Sequence, residues 1–462
     1  MEKFDAIIIG IGQAGNPLAS TLASKGLKTA VVEREHPGGS CINYGCTPTK
    51  IMIASAAASY SAKNAQEIGI DVGSVQTDFR KLKHRRDKLV QAWRDGIEDR
   101  LEKEEHITLL RGEATFSDKK VITVTFDQGA KREITADKIF INVGTSPRKP
   151  DLEGLKDVSY LTSKTIMDLD ELPEHLLILG GGYIGLEFGQ MYARLGSKVT
   201  ILQQDSQLAP REDKDVADAI QHFMQKEGIN ISLRATTNSV QRTDQGIALH
   251  YDQGGEEKTI NGSHLLLAIG TTPNTAALGL DIAGIRQVEH GYIEVNRYLE
   301  TNQKGVFALG DCKGGPEFTH VSYDDFRIVK DYIFGEQRRN LDDRTIPYTM
   351  FTKPELGRVG LSENQAREKE IPYNIAFMPM KNVARAIEAN RTEGFLKVIL
   401  NPDTGTLLGA TCLAEEGGEL MSMLQIAMMG KLTFQQLRDA IFAHPTYAEA
   451  FNNLFSTIKG PD

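Results

Sequence analysis

One local pattern occurs twice in this chain, and the recurrence constrains the architecture more than any other feature. Residues 4–9, Phe-Asp-Ala-Ile-Ile-Ile, read as a strand buried in a parallel sheet. Gly10-Ile11-Gly12-Gln13-Ala14-Gly15 follows at once. Next come a helix of small residues, Asn16 to Lys25, and a second strand, Lys28 to Glu33, that ends in an acid. Glycines close such a turn tightly and let the backbone approach a pyrophosphate, while the helix N-terminus attracts its charge. Glu33 stands where a carboxylate takes ribose hydroxyls. The second copy has a strand at 176–179, then Gly180-Gly181-Gly182-Tyr183-Ile184-Gly185 opening a helix, then a strand at 198–202. Leu265 to Gly270 closes it. A glycine fingerprint alone says little. Set between strand and helix, and present twice, it predicts one dinucleotide per unit. The alternative is a duplicated site with one copy dead.

Between the copies lies Gly38-Gly39-Ser40-Cys41-Ile42-Asn43-Tyr44-Gly45-Cys46-Thr47-Pro48-Thr49-Lys50. Closing the short loop between Cys41 and Cys46 removes little chain entropy, so a bond there is a poor staple. Such a disulfide suits being made and broken. Lys50 supplies a cation that favours a thiolate. Two unrelated buried cysteines, or half a metal site, are the competing readings. Zinc sites favour about two to four residues between paired cysteines and need further ligands, and none stand nearby. The remaining cysteines are Cys312 and Cys412, so the set suits a reducing cytoplasm.

Length and charge exclude several classes. A chain of 462 residues suggests about three domains. A net charge of −9 gives no basic stripe for nucleic acid. No apolar run reaches the roughly 18 residues of a membrane span. Met1 to Asp5 leads straight into a strand and lacks the basic region of a signal peptide, so a cytoplasmic location is expected.

Beyond the first unit, helices are expected over Thr47–Lys63 and Asp78–Glu105, the latter with Leu82, Leu89, Trp93, Ile97 and Leu101 facing inward. Short strands are expected at 107–110, 121–126, 132–135 and 138–143, with a domain exit at Gly144-Thr145-Ser146-Pro147. Further on, residues 391–400 and 407–413 suggest a hairpin. Glu419–Met429 reads as a helix whose Met-rich face suits a core or subunit interface.

Two later stretches complete a pattern. Thr301 to Asp311 reads Thr-Asn-Gln-Lys-Gly-Val-Phe-Ala-Leu-Gly-Asp, and His444-Pro445-Thr446 precedes Glu449. With the fingerprints and the cysteine stretch, these resemble the flavin-dependent pyridine nucleotide–disulfide oxidoreductases, the family of dihydrolipoamide dehydrogenase, glutathione reductase and mercuric reductase. The resemblance spans nearly the whole chain. It implies an α/β fold of two Rossmann-like domains, for FAD and NAD(P), and a C-terminal α+β dimerisation domain. The implied boundaries are 1–150 and 271–340 for the FAD domain, 151–270 for the NAD(P) domain and 341–462 for the interface domain.

The resemblance also assigns residues. FAD would meet Gly10, Gly12, Ala14, Gly15, Glu33, Gly39, Ser40, Lys50, Ala114, Gly144 and Asp311, the last on the ribityl chain. NADPH or NADH would meet Gly180, Gly182, Tyr183, Ile184, Gly185, Gln203 and Gly270, with Tyr183 as an aromatic lid. Electrons would pass from nicotinamide through FAD to Cys46, and leave through the outer thiol Cys41. Lys50 and Glu187 would pair near the flavin. His444, oriented by Glu449, would serve as acid–base at the cysteines of the other subunit, which requires a homodimer. Cys312 is expected to be a buried small residue rather than a third redox partner.

Three departures bear on the branch. Gln203 stands where NADH-dependent members generally carry glutamate, which leans the reading to NADPH, although no cation replaces the acid. Tyr44 replaces a small aliphatic residue. Tyr160–Ser163, Pro210–Asp213 and Gly357–Leu361 look like mercuric-reductase-like proteins. Yet no N-terminal CxxC domain and no C-terminal cysteine pair is present, and handing over a soft metal needs such thiolates. The expected acceptor is a disulfide or a thiol-bound metal ion, with dihydrolipoamide dehydrogenase as the first rival. A flavin oxidase or diaphorase that bypasses the cysteines is a second. The reading from another class is a silent scaffold on a reductase fold.

Overall fold

Strand β1 (Glu2–Ile9) lies in the middle of the first sheet, and its residues Ile7 and Ile8 are wholly buried. The computed structural model describes residues 1–460 except Gln245 and Glu336. From β1 the chain passes through helix α1 (Gly15–Ser24) to β2 (Thr29–Glu33), parallel to β1. Two helices follow, α2 (Gly39–Asn43) and α3 (Cys46–Lys63). The long helix α4 (Phe79–Lys103) is capped by Asp78, whose carboxylate accepts from Lys81 N at 3.0 Å. Strands β3 (Ile107–Arg111), β4 (Glu113–Asp118), β5 (Val121–Thr125) and β6 (Lys131–Ile141) complete the sheet in the order β3-β2-β1-β6-β5-β4.

Two expectations fail here. Residues 132–135 and 138–143 form one strand rather than two. The first half of β6 pairs antiparallel with β5 and alternates in exposure, while its end runs parallel to β1 and is fully buried. The change of partner changes the hydrophobic period, and so a single strand reads as two. Trp93 is not inward but 46 % exposed. The buried stripe of α4 runs through Phe79, Arg86, Val90, Ile97 and Leu101. It is rotated about the axis from the expected one, so Leu82 and Leu89 are half-buried and Trp93 lies on its edge.

The second unit repeats the plan. Strand β7 (Thr145–Pro147) leaves the first sheet, and β8 (His175–Leu179), α5 (Tyr183–Leu195) and β9 (Lys198–Gln203) form the second fingerprint unit. Helix α6 (Lys214–Lys226) and β10 (Asn230–Leu233) follow. An antiparallel layer of β11 (Ala235–Thr243), β12 (Gly246–Gln253) and β13 (Glu256–Gly262) leads to β14 (His264–Leu267). The parallel sheet has the order β10-β9-β8-β14. Strand β15 (Thr271–Pro273) pairs antiparallel with β7, so the outgoing and returning segments run side by side. The chain then adds β16 (Val306–Ala308) to β6, and helix α7 (Thr319–Phe334) packs on α1.

The last sheet is antiparallel, with β17 (Tyr348–Met350), β18 (Glu355–Gly360), β19 (Asn374–Pro379), β20 (Phe395–Leu400) and β21 (Leu407–Ala414). Strands β20 and β21 form the expected hairpin. The Met-rich helix runs from Gly417 to Met429, burying Leu420, Met421 and Leu424 against this sheet. Met423, Ile426 and Met429 on its other side stay exposed.

Candidate active site

The first fingerprint builds a cradle through close backbone contacts. Gly10 has φ +92°, and a Cβ there would lie 2.4 Å from the carbonyl oxygen of Asn142. A Cβ on Gly15 would lie 2.4 Å from Gly10 O. The Asn142 side chain, on the strand end opposite, accepts from Gly15 N and donates to Leu309 O, both at 2.9 Å. Glu33 accepts from Ile11 N and Glu35 N, both at 2.9 Å. Its carboxylate is thus locked at the end of β2.

These elements wall a cavity of about 690 Å³. Gly10, Gly12, Glu33, Gly39, Ser40, Cys41, Cys46, Lys50, Ala114, Gly144, Tyr183, Ile184, Glu187 and Asp311 all line it. Ala14 and Gly15 lie behind its wall in the buried start of the helix. A cavity of this size lined by the glycine turn, Glu33 and the thiols fits a flavin dinucleotide in chemistry.

Cys41 sits on the short α2, and Cys46 is the first residue of the 18-residue α3. Tyr44 N and Gly45 N both donate to Ser40 O, at 2.9 and 2.7 Å, and fold the loop back. Both cysteines are free thiols, and Cys46 opens onto the cavity. The Cys41 S–H donates to the Cys46 sulfur, which does most to push the Cys46 thiol down to about 6. The Lys50 cation adds to this and burial opposes it. Cys41 is pushed far upward by holding that proton, and by burial. A helix N-terminus at Cys46 favours the same thiolate. Thr319 Oγ1 lies 3.3 Å from Cys46 Sγ.

Lys50 Nζ donates to Glu187 Oε2 at 2.7 Å and stands 4.8 Å from the Phe351 ring centre. The other Glu187 oxygen accepts from Phe351 N at 2.8 Å. Tyr44 donates to Glu35 at 2.6 Å, and Lys164 shares that carboxylate while lying 4.2 Å over the Tyr44 ring. The tyrosine thereby ties the cysteine loop to the segment before the second unit. Asp311 lies in a turn just after β16, where burial, with the charge of Glu317 second, pushes its carboxyl up to about 7. Cys312 is fully buried, which pushes its thiol up to about 12.

The second fingerprint copies the first. Gly180 has φ +105°, with its virtual Cβ 2.4 Å from Ala268 O, and that of Gly185 is 2.0 Å from Gly180 O. Gly181 N donates to Gln203 Oε1 at 2.7 Å, in the register of Ile11 and Glu33. Gly182 has open space before it, Ile184 is exposed, and Gly270 has φ +101°. The Tyr183 hydroxyl donates to the buried Glu212, which also accepts from Tyr348 at 2.7 Å.

His444 is not among the residues lining the cavity. Its Nδ1 lies 2.9 and 3.0 Å from the Glu449 oxygens, so Nδ1 carries the proton and Nε2 is the free nitrogen. The imidazole is 67 % exposed. Asn142, Thr319, Glu317 and Phe351 escaped the sequence reading. They lie far along the chain from the fingerprints, and only Asn142 carried a signal, as a lone amide at the end of an apolar run.

Comparison with known proteins agrees with this geometry. The family model for pyridine nucleotide-disulphide oxidoreductase matches residues 4–325, and that family's dimerisation domain matches residues 346–455, which supports a homodimer. The probable pyridine nucleotide-disulfide oxidoreductase RclA of Escherichia coli is 37 % identical over 99 % of this chain and 100 % of its own. A mercuric reductase of Staphylococcus aureus is 33 % identical over 96 % of this chain and 81 % of its own. A dihydrolipoyl dehydrogenase of Geobacillus stearothermophilus is 30 % identical over 96 % and 94 %. A solved structure described as the Cu(II) complex of HOCl-induced flavoprotein disulfide reductase RclA from Escherichia coli superposes with a TM-score of 0.90, at 36 % identity and 99 % coverage of both chains. Among the described residues, no helix is long and apolar enough to cross a membrane. Two dinucleotide cradles, an adjoining thiol pair and matches along nearly all of its length show that this chain belongs to the pyridine nucleotide–disulphide oxidoreductase family, whose members are FAD-dependent and use NAD(P)H.

Proposed function

We propose that this chain is an NAD(P)H-dependent flavoprotein reductase that acts through Cys41 and Cys46 on a disulfide or a thiol-bound metal ion. The placement of the thiol pair carries the reading: Cys46 opens onto the cavity at the start of α3, Cys41 lines the same cavity, and Lys50, held by Glu187, favours the Cys46 thiolate. Gly10, Gly12, Gly39, Glu33 and Asp311 would hold FAD, with Lys50 and Glu187 at the thiol end. FAD, when bound, supplies the two electrons from NAD(P)H that reopen a Cys41–Cys46 disulfide.

The protein's own part is thiol chemistry. The His444–Glu449 pair, working across the dimer, takes the Cys41 proton, and the Cys41 thiolate then attacks a sulfur of the acceptor disulfide, whose far sulfur leaves as a thiolate. Cys46 then displaces the second acceptor thiol and closes the Cys41–Cys46 bond. The acceptor gains two electrons from the thiol pair and two protons, one from Cys41 and one from solvent. The His444–Glu449 pair, working across the dimer, moves those protons through its free Nε2. A thiol-bound metal acceptor would instead be gripped by both sulfurs. The relatives named mercuric reductase, and the copper complex of RclA, support a metal ion among the acceptors, and the missing extra thiolates speak for the disulfide. We place the protein in the cytoplasm, where thiols stay reduced.

Anaerobic titration of the purified protein with NADH and NADPH, followed by a panel of disulfides and metal ions, tests the proposal. C41S should retain reduction by the nicotinamide and lose turnover with the acceptor. Unimpaired C41S turnover would reject the disulfide route, and strong activity with dihydrolipoamide and NAD⁺ would move the assignment to dihydrolipoamide dehydrogenase.

A further inference from the structure

The end of β9 shows how the second fingerprint chooses its nucleotide. Gln203 is buried, and its Oε1 accepts from Gly181 N at 2.7 Å. Its Nε2 donates to Asp205 Oδ2 at 2.6 Å. Chemistry fixes the amide: Gly181 N–H only donates and an ionised carboxylate only accepts. In the first unit the matching position is filled by Glu33. The second unit therefore keeps a carboxylate at its strand end. It has moved outward by two residues, and Gln203 relays its position from the fingerprint turn.

We propose that Asp205, held by Gln203, makes this protein select NADH over NADPH. The inference rests on the reductase reading above and reverses the lean toward NADPH that Gln203 alone suggested. At this strand end the two nucleotides differ by a ribose hydroxyl against a phosphate. The hydroxyl donates to a carboxylate, whereas the phosphate brings negative charge against Asp205. Two arginines oppose this. Arg234 donates its backbone N–H to Asp205 O at 3.0 Å, and Arg211 lies further along the same connection. Both are exposed.

The test is equilibrium titration of the FAD-loaded protein with NAD⁺ and NADP⁺, alongside flavin reduction by NADH and NADPH. The wild type should bind NAD⁺ at least about tenfold more tightly than NADP⁺. D205N keeps an acceptor for Gln203 and removes only charge. It should narrow that ratio about tenfold, chiefly by tightening NADP⁺. Asp205 is exposed, so added salt should narrow the wild-type ratio and leave that of D205N nearly unchanged. Equal or tighter NADP⁺ binding by the wild type, or a ratio that D205N does not move, overturns the proposal while leaving the reductase reading intact. Failure to bind either nucleotide sinks both.

Discussion

Lys50 Nζ donates to Glu187 Oε2 across 2.7 Å, and this bond joins the helix that starts at Cys46 to the helix that starts at the second fingerprint. The lysine is thereby fixed within electrostatic reach of the Cys46 sulfur. Glu187 works against that effect, since its charge raises the Cys46 pKa, but it also anchors the cation.

The acidity of Cys46 should separate these contributions. In the reduced protein, the alkylation rate at Cys46 should rise with pH through a midpoint near the value of about 6, because only the thiolate reacts. C41A removes the largest stabilising donor and should raise the midpoint most, while C41S, which keeps a donor, should raise it less. K50M should raise it by about one unit. E187Q should not raise it at all. Peptide mass spectrometry after timed iodoacetamide labelling reads all four. A K50M midpoint equal to wild type would remove Lys50 from the thiolate's support.

His444 and Cys41 should work together only across a dimer. His444 is largely exposed and does not line the cavity that the cysteines open onto. H444A should lower turnover with a disulfide by about 10²-fold or more, the usual contribution of a general acid–base. C41S should also be inactive. Unfolding and refolding the two variants together should restore activity, because a hybrid dimer holds one site with both intact groups. If the mixture stays inactive while forming dimers, each subunit's histidine serves its own thiols.

Asn142 is the structural rivet of the first cradle. Its amide meets Gly15 N and Leu309 O, both buried partners. N142A should cost about 1–3 kcal/mol for each partner left unpaired, seen as a lower urea midpoint. Flavin should also leave the variant sooner, since Gly10 and Gly15 are set by the same contacts. An unchanged midpoint would mean that the strand ends hold the turn without it.

What the sequence disclosed, and what it hid, follows from distance along the chain. Both fingerprints, the cysteine pair and the β20–β21 hairpin are local patterns, and local patterns survive in a string of letters. Asn142, Thr319 and Phe351 act at the site only because the end of β6, the start of α7 and the end of β17 meet there. Trp93 misled because a stripe position at the edge of a helix face reads like one at its centre. Strand β6 misled because one strand obeys two hydrophobic periods. At Gln203 the missing acid was plain, but the bond that returns a carboxylate through Asp205 exists only in three dimensions.

Asp311 carries the last prediction, which concerns pH. Burial and the charge of Glu317 raise its carboxyl to about 7, so the fold favours the protonated form. A raised folded pKa gives stability that is fully present below the unfolded value, near 3.9, and is lost as pH climbs toward the folded one. The flavin-free protein should therefore lose stability between about pH 4 and pH 7 through this group. D311N removes the titration, so its stability should exceed wild type at pH 8 and the two curves should converge toward pH 4. Thermal melts across that range, on protein stripped of flavin, give the comparison. Parallel curves at every pH would show that Asp311 is ionised throughout, with Lys313 offsetting its burial.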